Sequence, residues 1–426
     1  MASTHRRRAT AGHLAYAGVW YHDNDTVSFR YDAINAANPD RATVERYRKE
    51  LGVTTTAQET IWQYHRSAGF VLAQGLQQSF FDLHGGYFDD PQLMAEVQRL
   101  NTLCADAMHH DGSSVAEIVV VSDETSNAYA TFESGFLQQT LQPAQVQLAK
   151  VGAPHDSILV DDLAIADLER HKLVIFLNCF HLTGTQRDLI RRQVLNRGRT
   201  VLWCYAPGLF DGNCCAVEAM RELSGLQLSV ATDPARVRLR IALGSQPFAG
   251  LERLPDRLVG HEHVWARAVS ITDPQATPLG VLEGRRDVAL AVKPMPGWTS
   301  IFTRNPVLPA AVLRVFARRA GVHLYNERDD TLYAGASFLA VNADGAGPRT
   351  LQFPYPADVF DPFSGDPLAL KNGVLRFRRD GPSAGVRRTD FSFRGQNAFP
   401  MLGHMTAKTE ICTSDPLSHA PPLLNR

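Results

Sequence analysis

The sequence predicts an α/β protein, and three observations predict it. Residues 56–90 read as helix, turn, strand and glycine loop, the order of one unit of a β/α barrel. Residues 117–205 alternate short apolar runs with helical patterns, which implies a parallel sheet covered by helices on both faces. Beyond residue 326 the pattern turns to short strands and strong turn residues. The expected parts are the last units of an incomplete barrel over 1–110, a parallel-sheet domain over 111–325 and a small antiparallel β-sandwich over 326–394. Residues 395–426 hold Pro400, Pro416, Pro421 and Pro422 without periodicity and read as a disordered tail.

In the first part, Leu14 to Tyr21 is strand-like and His22-Asp23-Asn24-Asp25-Thr26 reads as a polar turn. A loop over Asn35 to Asp40 leads to a helix over Ala42 to Leu51. Thr56 and Glu59 have capping-box spacing. Ile61, Tyr64, Ala68, Val71 and Leu72 then recur at helical intervals, and Gly75 suits the left-handed position that ends the helix. Gln77 to Leu83 is short and aromatic, like a buried strand. Asp90 caps the next helix, Pro91 fills its first turn, and Leu93, Met94, Val97, Leu100 and Cys104 line its apolar side.

Asp111-Gly112-Ser113-Ser114 reads as a linker. Strands are expected at Glu117–Val121, Ile158–Val160, Leu173–Leu177 and Thr200–Tyr205, with helices at Phe132–Lys150, Thr185–Asn196 and Leu308–Ala320. No G-x-G-x-x-G follows Val121, which argues against a dinucleotide site and leaves no cofactor to expect. In the last part, Leu332 to Val341, Thr350 to Pro354 and Gly373 to Arg378 are strand candidates, and Asp361-Pro362-Phe363-Ser364-Gly365-Asp366 is turn chemistry.

Composition narrows the function classes. The 426 residues carry 43 basic and 44 acidic side chains, a net charge of −1, so neither nucleic acid nor an anionic membrane is an expected partner. No apolar core follows Arg6-Arg7-Arg8, so no signal peptide is expected and a cytoplasmic location is. Six cysteines without a C-x-x-C pair read as reduced thiols, not a zinc ribbon. His261-Glu262-His263 lacks the four-residue spacing of a zinc-protease helix, and Asp161-Asp162 reads as a turn and helix cap, so no metal is expected.

Four stretches together resemble the C-terminal half of a family 42 glycoside hydrolase, the β-galactosidases with a trimerisation domain. They are Glu59 to Asp90, Gly152 to Leu163, Thr200 to Gly208 and Arg319 to Tyr325. The resemblance covers residues 15 to 385 and implies the end of a TIM-type barrel, a glutamine-amidotransferase-like (flavodoxin-like) domain and a C-terminal β domain. It also implies a β-galactoside-like carbohydrate as ligand, if a cleft is completed, and a homo-oligomer such as a trimer.

A retaining glycosidase needs two carboxyl groups about 5 Å apart. In this family the acid/base is a Glu after the fourth barrel strand, and a barrel needs roughly 250 residues. That strand has no counterpart after Met1. At the place of the nucleophile stands His22-Asp23-Asn24-Asp25, without a Glu. The chain is therefore expected to be a truncated hydrolase-like protein with no catalytic residue of its own. An unclosed barrel arc exposes two strand edges, so residues 1–110 are expected to pair with something or to be poorly ordered.

The candidate sugar-binding residues are Asp25, Asp82, His84, Asp23, Asn24 and Trp20. Asp82 follows a strand at the barrel mouth, but a carboxylate there also caps the Gly85-Gly86 loop. His84 borders the implied sugar site, although a lone loop histidine is ordinarily polar surface. Asp23, Asn24 and Asp25 offer hydroxyl partners, while a turn favours the same residues. Trp20 offers a stacking face or a core ring.

Two alternatives stand beside the hydrolase reading. One is a non-catalytic oligomerisation or carbohydrate-binding protein. The other is a class I amidotransferase-like enzyme with Cys204 as nucleophile. Bulky Trp203 and Tyr205 argue against the sharp turn that a nucleophile needs, so Cys204 reads as a buried strand residue. Cys214-Cys215 reads as a helix start.

Overall fold

The computed structural model describes residues 21–82, 85–130, 136–212, 214–231, 235–236, 238–241, 248, 250–254, 257–260, 264–265, 268–379 and 389–396. All but Tyr21 of the expected strand Leu14–Tyr21, His84, His261-Glu262-His263 and residues 397–426 of the expected tail lie outside those residues; Gly395 and Gln396, expected to open that tail, end a strand instead.

The first strand, β1, spans Tyr21–Asn24. His22, Asp23 and Asn24 are therefore strand residues, not the polar turn expected from their composition. Parallel pairing with β2 (Gln77–Phe80) supplies the backbone partners that outweigh their turn preference. Between the two strands come α1 (Arg41–Leu51) and α2 (Ala57–Ala73). The Thr56 hydroxyl accepts from the Glu59 N–H, so the N-cap forms as expected. The Glu59 carboxylate reaches the Thr55 N–H at 2.8 Å instead of closing the box on Thr56. Gly75 takes φ +62° and ends the turn after α2.

β2 is half-buried along its length, not buried as its aromatic content suggested. Helix α3 (Pro91–Ala107) starts on Asp90, which accepts from the Gln92 and Leu93 N–H groups. Leu93, Leu100 and Cys104 are buried, whereas Met94 is 52% exposed and falls outside the apolar side. Asp111 to Ser114 does not hang free. Ser114 bridges to Gly335, and the Ala336 N–H donates to the Ser113 carbonyl at 2.9 Å.

The middle of the molecule is one mixed sheet of eleven strands among the described residues. Its parallel part runs in the order β4-β3-β5-β6-β7, with β3 at Ile118–Ser122, β4 at His155–Leu159, β5 at Leu173–Phe176, β6 at Arg199–Cys204 and β7 at Trp298–Thr303. Numbered within the domain this is 2-1-3-4-5, the flavodoxin-like order. β3, β5 and β6 are buried along their whole length, as continuous apolar runs require. Helices α4 (Phe136–Ala149), α5 (Gly184–Gln193), α6 (Val217–Ser224) and α7 (Ala310–Arg319) accompany this sheet. It separates two large apolar clusters, one containing Leu141, Ile175 and Phe316, the other Phe176, Trp203 and Met220.

The expectation of a purely parallel sheet fails beyond β7. Val288–Met295, Thr277–Leu282, Leu239–Ile241 and Leu258–Val259 continue the sheet antiparallel, and Ala268–Ile271 with Leu228–Ala231 branches from it. Cys214–Cys215 is a two-residue strand against Phe210–Asp211, with α6 beginning only at Val217. In the last part, the single strand expected over Leu332–Val341 is a hairpin of Thr331–Ala334 and Phe338–Asn342, because Gly335 breaks it. A Cβ on Gly335 would stand 2.5 Å from the Ala73 carbonyl oxygen, so only glycine fits where the hairpin meets α2. Gly347–Gln352 pairs with Val374–Arg379, and a five-stranded sheet completes a core of Leu332, Val341, Leu351, Val359 and Leu375.

Candidate functional site

The expected site residues gather at the ends of β1 and β2. The strands are parallel in the register Tyr21↔Gln77 to Asn24↔Phe80, and the Phe81 N–H extends the ladder to the Asn24 carbonyl at 3.1 Å. Both strands thus end at the same edge, and Asp25 and Asp82 leave from it. Strand alternation then separates neighbours. Asp23 shares a face with Ser79, whose hydroxyl donates to its carboxylate at 2.8 Å. His22 points the other way and meets the Phe70 ring of α2 edge-on at 5.9 Å. Phe80 likewise meets Tyr64 of α2 at 5.4 Å. The helix covers the face of His22 and Phe80, so Asp23 and Ser79 look to the opposite side.

Asp82 is committed to its own loop. One carboxylate oxygen accepts from the Gly85 N–H at 2.8 Å and the other from the Tyr87 N–H at 3.1 Å. Gly85 and Gly86 take φ +77° and +89°, which lets the loop fold back onto the acid. Asp25 is exposed at the strand end. Asn24 is 1% exposed. Its side-chain oxygen accepts from the Thr26 N–H at 3.2 Å, and its amide nitrogen has no partner among the described residues.

Asn24 and Asp25 open onto a cleft of about 330 Å³, shared with Gln63 and Arg66 of α2 and with Tyr333 and Asn342 of the hairpin. Sequence reading missed the last four. Gln63 and Arg66 stand on a helix that reads as ordinary amphipathic surface, and the hairpin lies some 300 residues away in sequence. Trp20 and His84 lie outside the described residues, so this structure brings together Asp23, Asn24, Asp25 and Asp82 of the expected set.

The parallel sheet offers a second place where ligands bind in such folds, the crevice beyond the C-terminal ends of β3 and β5. Here the Asn178 side chain stitches it shut. Its oxygen accepts from the Asp123 N–H at 3.2 Å, and its nitrogen donates to the Asp123 carbonyl at 3.1 Å and to Asn127 at 2.9 Å. Cys204 ends β6 at 2% exposure, and burial pushes its thiol far above the usual range. The expectation that bulky neighbours forbid a sharp turn there is wrong for Tyr205, which holds φ +66°. The Phe136 and Phe180 rings pack around it at 5.3 and 6.1 Å and hold the strained backbone. Asp162 accepts from the Leu159 N–H and Asp161 from Gln186, so both serve a turn and a helix start. No group of three or more His, Cys, Asp or Glu suited to a metal occurs among the described residues. No helix among them is long and apolar enough to cross a membrane.

No protein-family model matches the chain, and no curated protein does either. Solved structures do. A catalytic mutant of the GH42 β-galactosidase from G. stearothermophilus superposes with a TM-score of 0.56 at 14% identity, over 80% of this chain and 51% of that one. The β-galactosidase of Bacillus circulans sp. alkalophilus gives 0.54 at 15% identity, over 75% and 51%. That of Rahnella sp. R3 gives 0.54 at 13%, over 80% and 52%. The chain spans about half the length of these enzymes, and over three-quarters or more of its own length it has the fold of GH42 β-galactosidases.

Proposed function

We propose that this chain is a glycoside hydrolase-like protein of the β-galactosidase type that contributes an arc of a sugar cleft and does not itself cut the sugar. The face of Asp23 and Ser79 and the edge carrying Asp25 and Asp82 form that arc. The partner is a β-galactoside-like carbohydrate. The middle sheet domain is amidotransferase-like and serves subunit contacts, as in a homotrimer, and does not catalyse. The observation that carries the reading is the parallel β1–β2 pair with aspartates at its C-terminal edge, set in a GH42-like fold. Among the described residues of this edge no glutamate appears, and both oxygens of Asp82 are engaged with the loop. That favours holding a sugar over cleaving it, since cleavage needs two opposed acids free to act.

Incubation of the purified chain with a nitrophenyl β-galactoside tests this. Nitrophenol release is expected at the buffer-blank rate. Release above blank that disappears in Asp23→Asn or Asp25→Asn would show an acid pair within the chain and overturn the proposal.

A further inference from the structure

We infer that the 330 Å³ cleft on the helix side of β1 is a second binding site, for one neutral hydroxyl-bearing molecule of about monosaccharide size. It is read from the face of β1 opposite Asp23 and Ser79, and it shares only Asp25, at the strand end, with the proposed arc. The cleft is walled by all three parts of the chain: β1, α2, Val146 and Ala149 of α4, and the hairpin strands with Thr331, Tyr333 and Asn342. Its volume is at the small end of the roughly 300–1,000 Å³ typical of ligand pockets.

Two of its amides are left unsatisfied in complementary ways. The Asn24 nitrogen is a buried donor without an acceptor, and the Asn342 oxygen is a buried acceptor without a donor, among the described residues. The orientation of the Asn24 amide is fixed, because its oxygen is held by the Thr26 N–H. A buried polar group left unpaired costs about 1–3 kcal/mol, so the pair selects for an occupant that completes both. A hydroxyl group does so, since it donates and accepts at once. Phe70 and Val146 give an apolar side for a ring's carbon face. Asp25 and Glu50 against Arg66 leave the rim one charge negative, which disfavours an anionic ligand.

Titration of the full chain with D-galactose, followed through the side-chain amide resonances of Asn24 and Asn342, tests this. Saturable shifts of both are expected. Asn24→Asp keeps the acceptor for Thr26 but replaces the orphan donor, and Asn342→Leu removes the orphan acceptor. Each is expected to weaken binding at this site roughly tenfold, the worth of about one buried hydrogen bond. Asp188→Asn, on the exposed side of α5, is expected to leave it unchanged, and galacturonate is expected to bind less tightly than galactose. Unmoved amide resonances, binding that both variants leave intact, or tighter binding of galacturonate would overturn the inference. An unchanged thermal unfolding midpoint in each variant guards against a simple folding defect.

Discussion

At the end of β6, Tyr205 holds a left-handed backbone. A left-handed backbone costs a non-glycine residue about 1–2 kcal/mol, yet φ is +66° and two aromatic rings hold it. Nothing in Trp203-Cys204-Tyr205 announces that turn, and the rings that pack against Tyr205, Phe136 and Phe180, come from elsewhere in the chain. The burial of Cys204, by contrast, was legible in the apolar run that contains it. Burial pushes the Cys104 thiol up to about 11 and raises Cys179 and Cys204 well above the usual thiol range. Cys215 is exposed. Brief iodoacetamide treatment at neutral pH should therefore label Cys215 and spare these three until the protein is denatured, because the thiolate is the nucleophile. Mass mapping that found native Cys204 labelled would revive an amidotransferase-like nucleophile. For the candidate sugar residues the sequence showed which side chains were polar, but not that strand alternation would send Asp23 and Asn24 to opposite faces. That followed only once Tyr21–Asn24 was seen as a strand in register with Gln77–Phe80.

The elements that follow local rules were the most legible. The caps at Thr56 and Asp90 and the apolar strands β3, β5 and β6 stand where pattern placed them. The antiparallel half of the large sheet was not legible, since pairing of Val288–Met295 with Thr277–Leu282 and β7 depends on partners, not on period. Strand β4 shows how polar contacts fix an element. The Asp156 carboxylate takes the Ser114 hydroxyl at 2.6 Å, His171 at 2.9 Å and Arg170 at 3.1 Å. Burial alone would raise its pKa, but the hydrogen bonds from His171 and Ser114 and the charges of His171 and Arg170 outweigh that and hold it below the usual range. A carboxyl depressed in the folded state stabilises above its unfolded pKa, and that contribution drains away as pH falls toward the folded value. Asp156→Asn should cost about 1–3 kcal/mol at pH 7 and flatten the loss of stability between neutral pH and the acid side of the carboxylate range. Urea midpoints measured across that range would decide it, and parallel curves for the two proteins would contradict the assignment.

At the scale of the whole molecule, the parts are locked by close backbone approaches. Gly152 has φ +87°, and its carbonyl accepts from the Tyr325 N–H at 2.8 Å and the Asn326 N–H at 3.2 Å. A Cβ there would sit 1.7 Å from the Asn326 carbonyl oxygen. Gly152→Ala should destabilise by well over about 1 kcal/mol and open the joint between the sheet domain and the C-terminal strands to protease. Unchanged thermal unfolding and cleavage would contradict that role. Each part of the expected three-part plan was read from a period of its own. The joints at Gly152 and Gly335 were not legible, because they join segments more than 150 residues apart. On the proposed function, the C-terminal edge of β1 and β2 is a sugar-facing arc. The most direct test is backbone-amide NMR of the full chain titrated with methyl β-D-galactoside. Saturable shifts at Asp25, Asp82, Gly85 and Tyr87 are the predicted result; no shift at that edge while the protein stays folded would contradict the account.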